Sequence, residues 1–167
     1  MDARTRRVTT ALALVVAVLV VGVVAYSLLG VSGHERATVT VADANGTVLG
    51  VVNATVADSE AERYRGLSGT ASLANGSGML FVYAGAAERT YVMRGMNYPI
   101  DMVFVGADGR ITRIYHAEPE EPPYRGYTAR AKWVLEVPEG WTTRHGVAAG
   151  DRVTIGYGAA AKAESDG

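Results

Sequence analysis

Hydrophobic positions follow two regimes along this chain. Residues 8 to 31 carry no charged side chain, whereas from Ala37 onward apolar residues come in short runs, many alternating with polar ones. Alternation at every second position marks a strand with one buried face, because successive side chains of an extended chain point to opposite sides. The clearest run is Ile100 to Val105, where Ile100, Met102 and Phe104 share one side and Asp101 is the sole charge. Its partner is Arg110 to His116, reached through the turn Ala107-Asp108-Gly109. A second hairpin joins Ala37–Ala42 to Thr47–Val56 through Asn45-Gly46, a pair that favours the positive φ angles of a two-residue turn. Further strands are expected at Gly78–Tyr83, Thr90–Met93, Lys132–Val137 and Asp151–Tyr157, with Ala84–Arg89 read as a turn or helical twist. In Lys132–Val137, Trp133, Leu135 and Val137 fall on one face and Val134 and Glu136 on the other.

Two short helices complete the pattern. Ser59 with Glu62 three residues later is a capping box, each side chain satisfying a free N–H of the first turn, and Gly66 stops the helix after Arg65. Pro138 suits the first turn of a second helix, Glu139–His145, which ends at Gly146. Residues 67 to 78 read as loop. Residues 117 to 125 hold Pro119, Pro122 and Pro123, which cannot donate to a ladder, and form an exposed loop. About eight strands with two short helices predict an α+β, mainly β fold: a small antiparallel or mixed sheet curling toward a barrel.

The uncharged N-terminal stretch is long enough to cross a bilayer. At about 1.5 Å rise per residue its 24 positions reach roughly 36 Å, against a hydrocarbon core of about 30 Å. A cleaved secretory signal is the competing reading, but the run exceeds the usual apolar region of roughly 7 to 15 residues and no convincing cleavage site follows it. Arg4, Arg6 and Arg7 before the span, against Glu35 and Arg36 after it, orient the N-terminus to the cytoplasm. The expected organisation is therefore residues 1–7 cytoplasmic, 8–31 spanning the bilayer, 32–36 a connector, 37–157 a β-rich domain outside the cell, and 158–167 a disordered tail.

Charge and cysteine content narrow the chemistry. Of 17 acids and 16 bases, removing Asp2, Arg4, Arg6 and Arg7 leaves 16 and 13. A net of −3 gives no basic patch for nucleic acid. With no cysteine in the chain, disulfides, thiolate metal sites and cysteine nucleophiles are excluded, and core packing must hold the domain together.

Several blocks together resemble a known family, the extracytoplasmic domain of unknown function 192. They are Glu62-Arg63-Tyr64-Arg65-Gly66-Leu67, Gly78-Met79-Leu80-Phe81-Val82-Tyr83, Met93-Arg94-Gly95-Met96 with Pro99-Ile100-Asp101, and Val105 to Ile111. The segments Lys132 to Val137, Gly140 and Gly150-Asp151-Arg152-Val153 are also similar. Members commonly carry G-L-M and then a basic residue where this chain has Gly66-Leu67-Ser68-Gly69-Thr70. The resemblance implies a tethered or secreted envelope domain and transfers no catalytic residue.

Candidate chemistry lies in four places. Asp101, among apolar neighbours, could serve as an acid or base with Arg94 or His116 beside it, or could tie its strand to a turn. Met79, Met93, Met96 and Met102 fall within one 24-residue window. They either fill core gaps or, with His116, form a soft Cu(I) site. His116 with Glu118 is half of a metal pair but lacks zinc spacing, and His145 is placed to cap a helix. Asn45, Asn53 and Asn75 head glycosylation sequons, Asn75 in the most open loop. The loop from Tyr115 to Tyr127, with Tyr124, Glu118, Glu120 and Glu121, could be a rim for a protein or glycan partner. No nucleophile elbow, phosphate loop or cofactor motif is present, so no cofactor is expected. The sequence favours a membrane-tethered binding or accessory domain of the envelope. The alternatives are an envelope hydrolase built on Asp101 and a methionine-rich copper handler.

Overall fold

Seven strands and two short helices account for the regular structure of residues 35–158, the part that the computed structural model describes. They are β1 (Arg36–Ala42), β2 (Val48–Ala57), α1 (Glu60–Arg65), β3 (Ser77–Tyr91), β4 (Ile100–Val105), β5 (Ile111–Ala117), β6 (Tyr127–Pro138), α2 (Trp141–Arg144) and β7 (Arg152–Tyr157). They form one sheet in the order β5-β4-β6-β3-β2-β1-β7. All pairings are antiparallel except β2 with β3. A parallel pair needs a crossover, and α1 with the following loop supplies it. The expected tail and the span at 8–31 lie outside the described residues. Among those described, no helix is long and apolar enough to cross a membrane.

The sheet is not closed into a barrel, but its two edges meet at one corner. Arg110 bridges Arg152, Val153 donates its N–H to the Gly109 carbonyl at 2.7 Å, and Gly150 donates to Ile111 at 2.8 Å. Both faces are covered. One carries Val39, Val41, Val52, Leu80, Val103, Leu135 and Val137, with Trp141 of α2 packed onto them. The Trp141 ring lies where a Cβ on Gly50 would stand, 2.6 Å from it, so that position accepts only glycine. The other face carries Phe81, Met93, Ile100, Met102, Phe104 and Val134. Phe81, Tyr91, Phe104, Tyr115 and Tyr127 cross it edge to face, with centroids 5.0 to 5.7 Å apart.

Three expectations are revised. The strand count is seven because Gly78–Tyr83 and the start of Thr90–Met93 belong to one strand, β3, which ends at Tyr91 and leaves Val92 and Met93 in the loop beyond it. Its register with β6 shifts between Val82 and Ala87, and it then pairs again from Ala87 to Tyr91. Pro138 ends β6 opposite Ile100 instead of starting a helix. The helix there is only Trp141–Arg144, since Gly140 at φ 69° delays its start. The capping box at Ser59 and Glu62 is present as read, with Gly66 closing α1.

Candidate functional site

Asp101 and Glu136 are the two charged residues that the sheet buries, and the period of two puts them on opposite faces. Asp101 pairs in register with His116 on β5 and Val137 on β6, while Glu136 pairs with Met102 on β4 and Met79 on β3.

Asp101 is 0% exposed and accepts four hydrogen bonds. His116 Nδ1 lies 2.7 Å and the Gly140 N–H 3.2 Å from Oδ1, and Oδ2 takes the Thr142 N–H at 2.9 Å and the Thr142 hydroxyl at 2.6 Å. The reason is local. Gly140 stands at the N-cap of α2 with no side chain to offer, so the free N–H groups of that turn are satisfied by a carboxylate from another strand. Burial alone would raise the Asp101 pKa. The Thr142 hydroxyl, His116 and the two backbone donors outweigh it and hold the carboxyl below the ordinary aspartate value. The His116 side chain is 59% exposed, with Nδ1 held by Asp101. This arrangement orients an imidazole but places no nucleophile beside it among the described residues.

Arg94 takes no part in that cluster, contrary to expectation. Its guanidinium lies over the Tyr64 ring at 4.1 Å and donates to the Tyr64 carbonyl. The turn at Gly95 (φ 64°) carries Arg94 to the side covered by α1. His116 is likewise no partner for the methionines: β5 does pair with β4, but Tyr115 stands opposite Met102 and His116 faces the other way. His145 caps α2 as read, its Nδ1 lying 2.8 Å from the Trp141 carbonyl. Asn45, Asn53 and Asn75 are all exposed. In the 115–127 loop, Tyr127 is buried and the Tyr115 hydroxyl donates to Thr128 at 2.7 Å, so of the three tyrosines Tyr124 remains for a rim.

The feature that sequence reading missed is a cleft of ≈ 200 Å³ on the second face, between the C-terminal end of α1, the 92–96 loop and the strands beneath. Glu136 contributes to its lining, with Phe81, Tyr83 and Tyr91 as aromatic walls and Met93 and Met96 beside them. Glu136 is 5% exposed and makes no hydrogen bond or ion pair among the described residues; desolvation pushes its pKa up to about 8. The Tyr91 hydroxyl bonds to that of Tyr83 at 2.8 Å, and burial raises its pKa. Arg63, Arg65 and Arg94 also line the cleft. Arg63 donates to the Val82 carbonyl at 3.0 Å and to that of Asp58, and Arg89 lies 3.7 Å over the Tyr83 ring. The signal in the sequence was a lone acid at a strand position flanked by Leu135 and Val137. Nothing in the strand itself tells that its face is covered.

Residues 35–158 thus form one mixed-sheet domain covered on both faces, with a small cleft that Glu136 helps to line. The chain belongs to the DUF192 family, described as Uncharacterized ACR, COG1430, whose model matches residues 40–155. Among solved structures it is similar to a proposed transcription regulator from Sinorhizobium meliloti 1021, at 27% identity and a TM-score of 0.68, over 75% of this chain and 98% of that one. It is also similar to a protein of unknown function from Novosphingobium aromaticivorans DSM 12444, at 31% identity and a TM-score of 0.66, over 75% and 89%. No curated protein matches the chain.

Proposed function

We propose that this protein is a binding module of the cell envelope, anchored in the bilayer by residues 8–31 with its N-terminus in the cytoplasm, and that its outer domain takes a small ligand over Glu136. The supporting observation is a carboxylate buried in a cleft without a partner. The Glu136 oxygens open into the cleft and are not sealed from it, since the buried side-chain atoms without a partner among the described residues are Arg89 Nε and Trp133 Nε1, so an occupant that bonds to them supplies the partner that a poorly solvated acid lacks. A cleft of ≈ 200 Å³ falls below the roughly 300–1,000 Å³ of sites for drug-sized molecules. Its occupant is therefore an ion or a molecule of a few heavy atoms that bonds to the Glu136 carboxyl group in a cleft that Arg63, Arg65 and Arg94 also line.

Two measurements test this reading. With the full chain purified in mild detergent, melting is followed while ammonium, methylammonium, ethanolamine or Ag(I) is added. At least one should raise the melting temperature of the wild type and leave Glu136→Gln unmoved; if no probe acts through Glu136, the ligand site is refuted. Protease added to intact cells should cut the domain, and a domain digested only after lysis would reverse the assigned orientation. A second reading, an envelope enzyme, draws on the Asp101–His116 pair at 2.7 Å. It requires that His116→Ala remove an activity while leaving the fold intact.

A further inference from the structure

We propose that the Glu136 cleft binds a small zwitterion of the amino-acid class, its ammonium group on the Glu136 carboxyl and its carboxylate at the arginines around the opening. This rests on reading the cleft as a ligand site and names the ligand.

The charges of the cleft lie at two levels. Glu136, on β6, is 5% exposed and belongs to the sheet beneath the cleft. Arg63 and Arg65 come from the last turn of α1 and Arg94 from the 92–96 loop; Arg65 is exposed and the other two are half-buried. No ion pair joins the acid to any of the three among the described residues. Desolvation is the one cause that raises the Glu136 pKa, and no guanidinium pulls it down as one would at close range. The negative and positive groups therefore stand apart within one space.

The guanidiniums are not spent on other acids. Arg63 and Arg94 donate to backbone carbonyls, which leaves their charge uncompensated, and Arg65 makes no hydrogen bond or ion pair among the described residues. Basic residues in the last turn of a helix are ordinary, since they favour its C-terminus. That accounts for Arg63 and Arg65 but for neither Arg94 nor the acid. A bare cation, a metal ion included, meets three guanidiniums against one carboxyl, and of the methionines only Met93 and Met96 line the space. A simple anion pairs with the arginines and leaves Glu136 without a partner. A molecule with one charge of each sign satisfies both through charge-assisted hydrogen bonds. Leu67, Phe81, Met93 and Met96 add apolar wall, which suits a short carbon skeleton between the charged ends. The volume, ≈ 200 Å³, limits that skeleton to a few atoms.

The test titrates the full chain in mild detergent with glycine, alanine, β-alanine and γ-aminobutyrate, and with ethanolamine and propionate as carriers of one charge each. At least one zwitterion should bind in one equivalent, about tenfold or more tighter than either single-charge probe. Its binding at pH 7 should release close to one proton, as the Glu136 carboxyl ionises against the ammonium group, and Glu136→Gln should release none and bind about tenfold or more weakly. Arg65→Gln alters an exposed side chain that holds no other group, and should weaken the zwitterion by roughly threefold or more without weakening ethanolamine. If ethanolamine binds through Glu136 as tightly as any zwitterion and Arg65→Gln changes nothing, the zwitterion assignment falls and the ligand reading stands. If only propionate binds, and equally well to Glu136→Gln, or if no probe binds, both fall.

Discussion

The two buried acids show how one residue type is settled in opposite ways by its neighbours. Asp101 has four donors aimed at it and stays ionised; Glu136 has none and prefers its proton. For Asp101 this makes a structural prediction. Asn in its place keeps one acceptor but turns an N–H₂ group toward donors, so Asp101→Asn should destabilise the protein by about 1–3 kcal/mol in urea unfolding. Thr142→Val should cost a comparable amount. Because Thr142 gives its hydroxyl to the same carboxylate, the double variant should lose clearly less than the sum of the two. Strict additivity would mean that the Asp101–Thr142 contact does not hold α2 to β4. The sign with pH follows from the lowered pKa: the Asp101 contribution is complete above its unfolded value near pH 4 and fades as the pH falls through the folded one.

At the scale of elements, the parts governed by adjacent residues were legible and the parts governed by distant ones were not. The Ser59–Glu62 box, the Asp108-Gly109 turn and the alternation of Ile100 to Val105 act within a few positions, and each element lies where its pattern placed it. The strand β3 was read as two because Ala84-Gly85-Ala86-Ala87 has no strand character of its own. Ala87 to Tyr91 is extended because β6 runs alongside it, and that pairing spans some forty residues. The Asp101–His116 contact could be read only as one of two options, since the choice between His116 and Arg94 depends on the register of β4 with β5 and on where the Gly95 turn sends the chain. Glu136 was assigned to the correct face of its strand, opposite Trp133, Leu135 and Val137. The strand alone cannot show that α1 and the 92–96 loop close over that face and convert a solvent-facing acid into the floor of a cleft. The methionines were visible as a cluster in sequence, but that Met79 and Met102 stand opposite Glu136 follows only from the register of β3, β4 and β6.

For the whole molecule, an unpartnered buried acid makes global stability depend on pH in a direction opposite to that of Asp101. The folded-state pKa of Glu136 is raised to about 8, above the unfolded value near 4.3. The folded state then binds the proton more tightly than the unfolded state across that interval. Stability contributed by Glu136 is therefore fully present below about pH 4 and is lost as the pH climbs to about 8, by an amount on the order of a few kcal/mol. Between these limits the ligand-free protein should become easier to unfold in urea as the pH rises, and Glu136→Gln should remove most of that slope, because an amide carries no proton to lose. Saturating the wild type with a cation that pairs with the carboxylate should also flatten the slope, since the bound ion takes over the compensation that the proton supplies at low pH. A slope that is the same in wild type and Glu136→Gln would mean that the acid reaches water or a partner in the folded state, and the cleft would lose the free-energy gap that an occupant is meant to close.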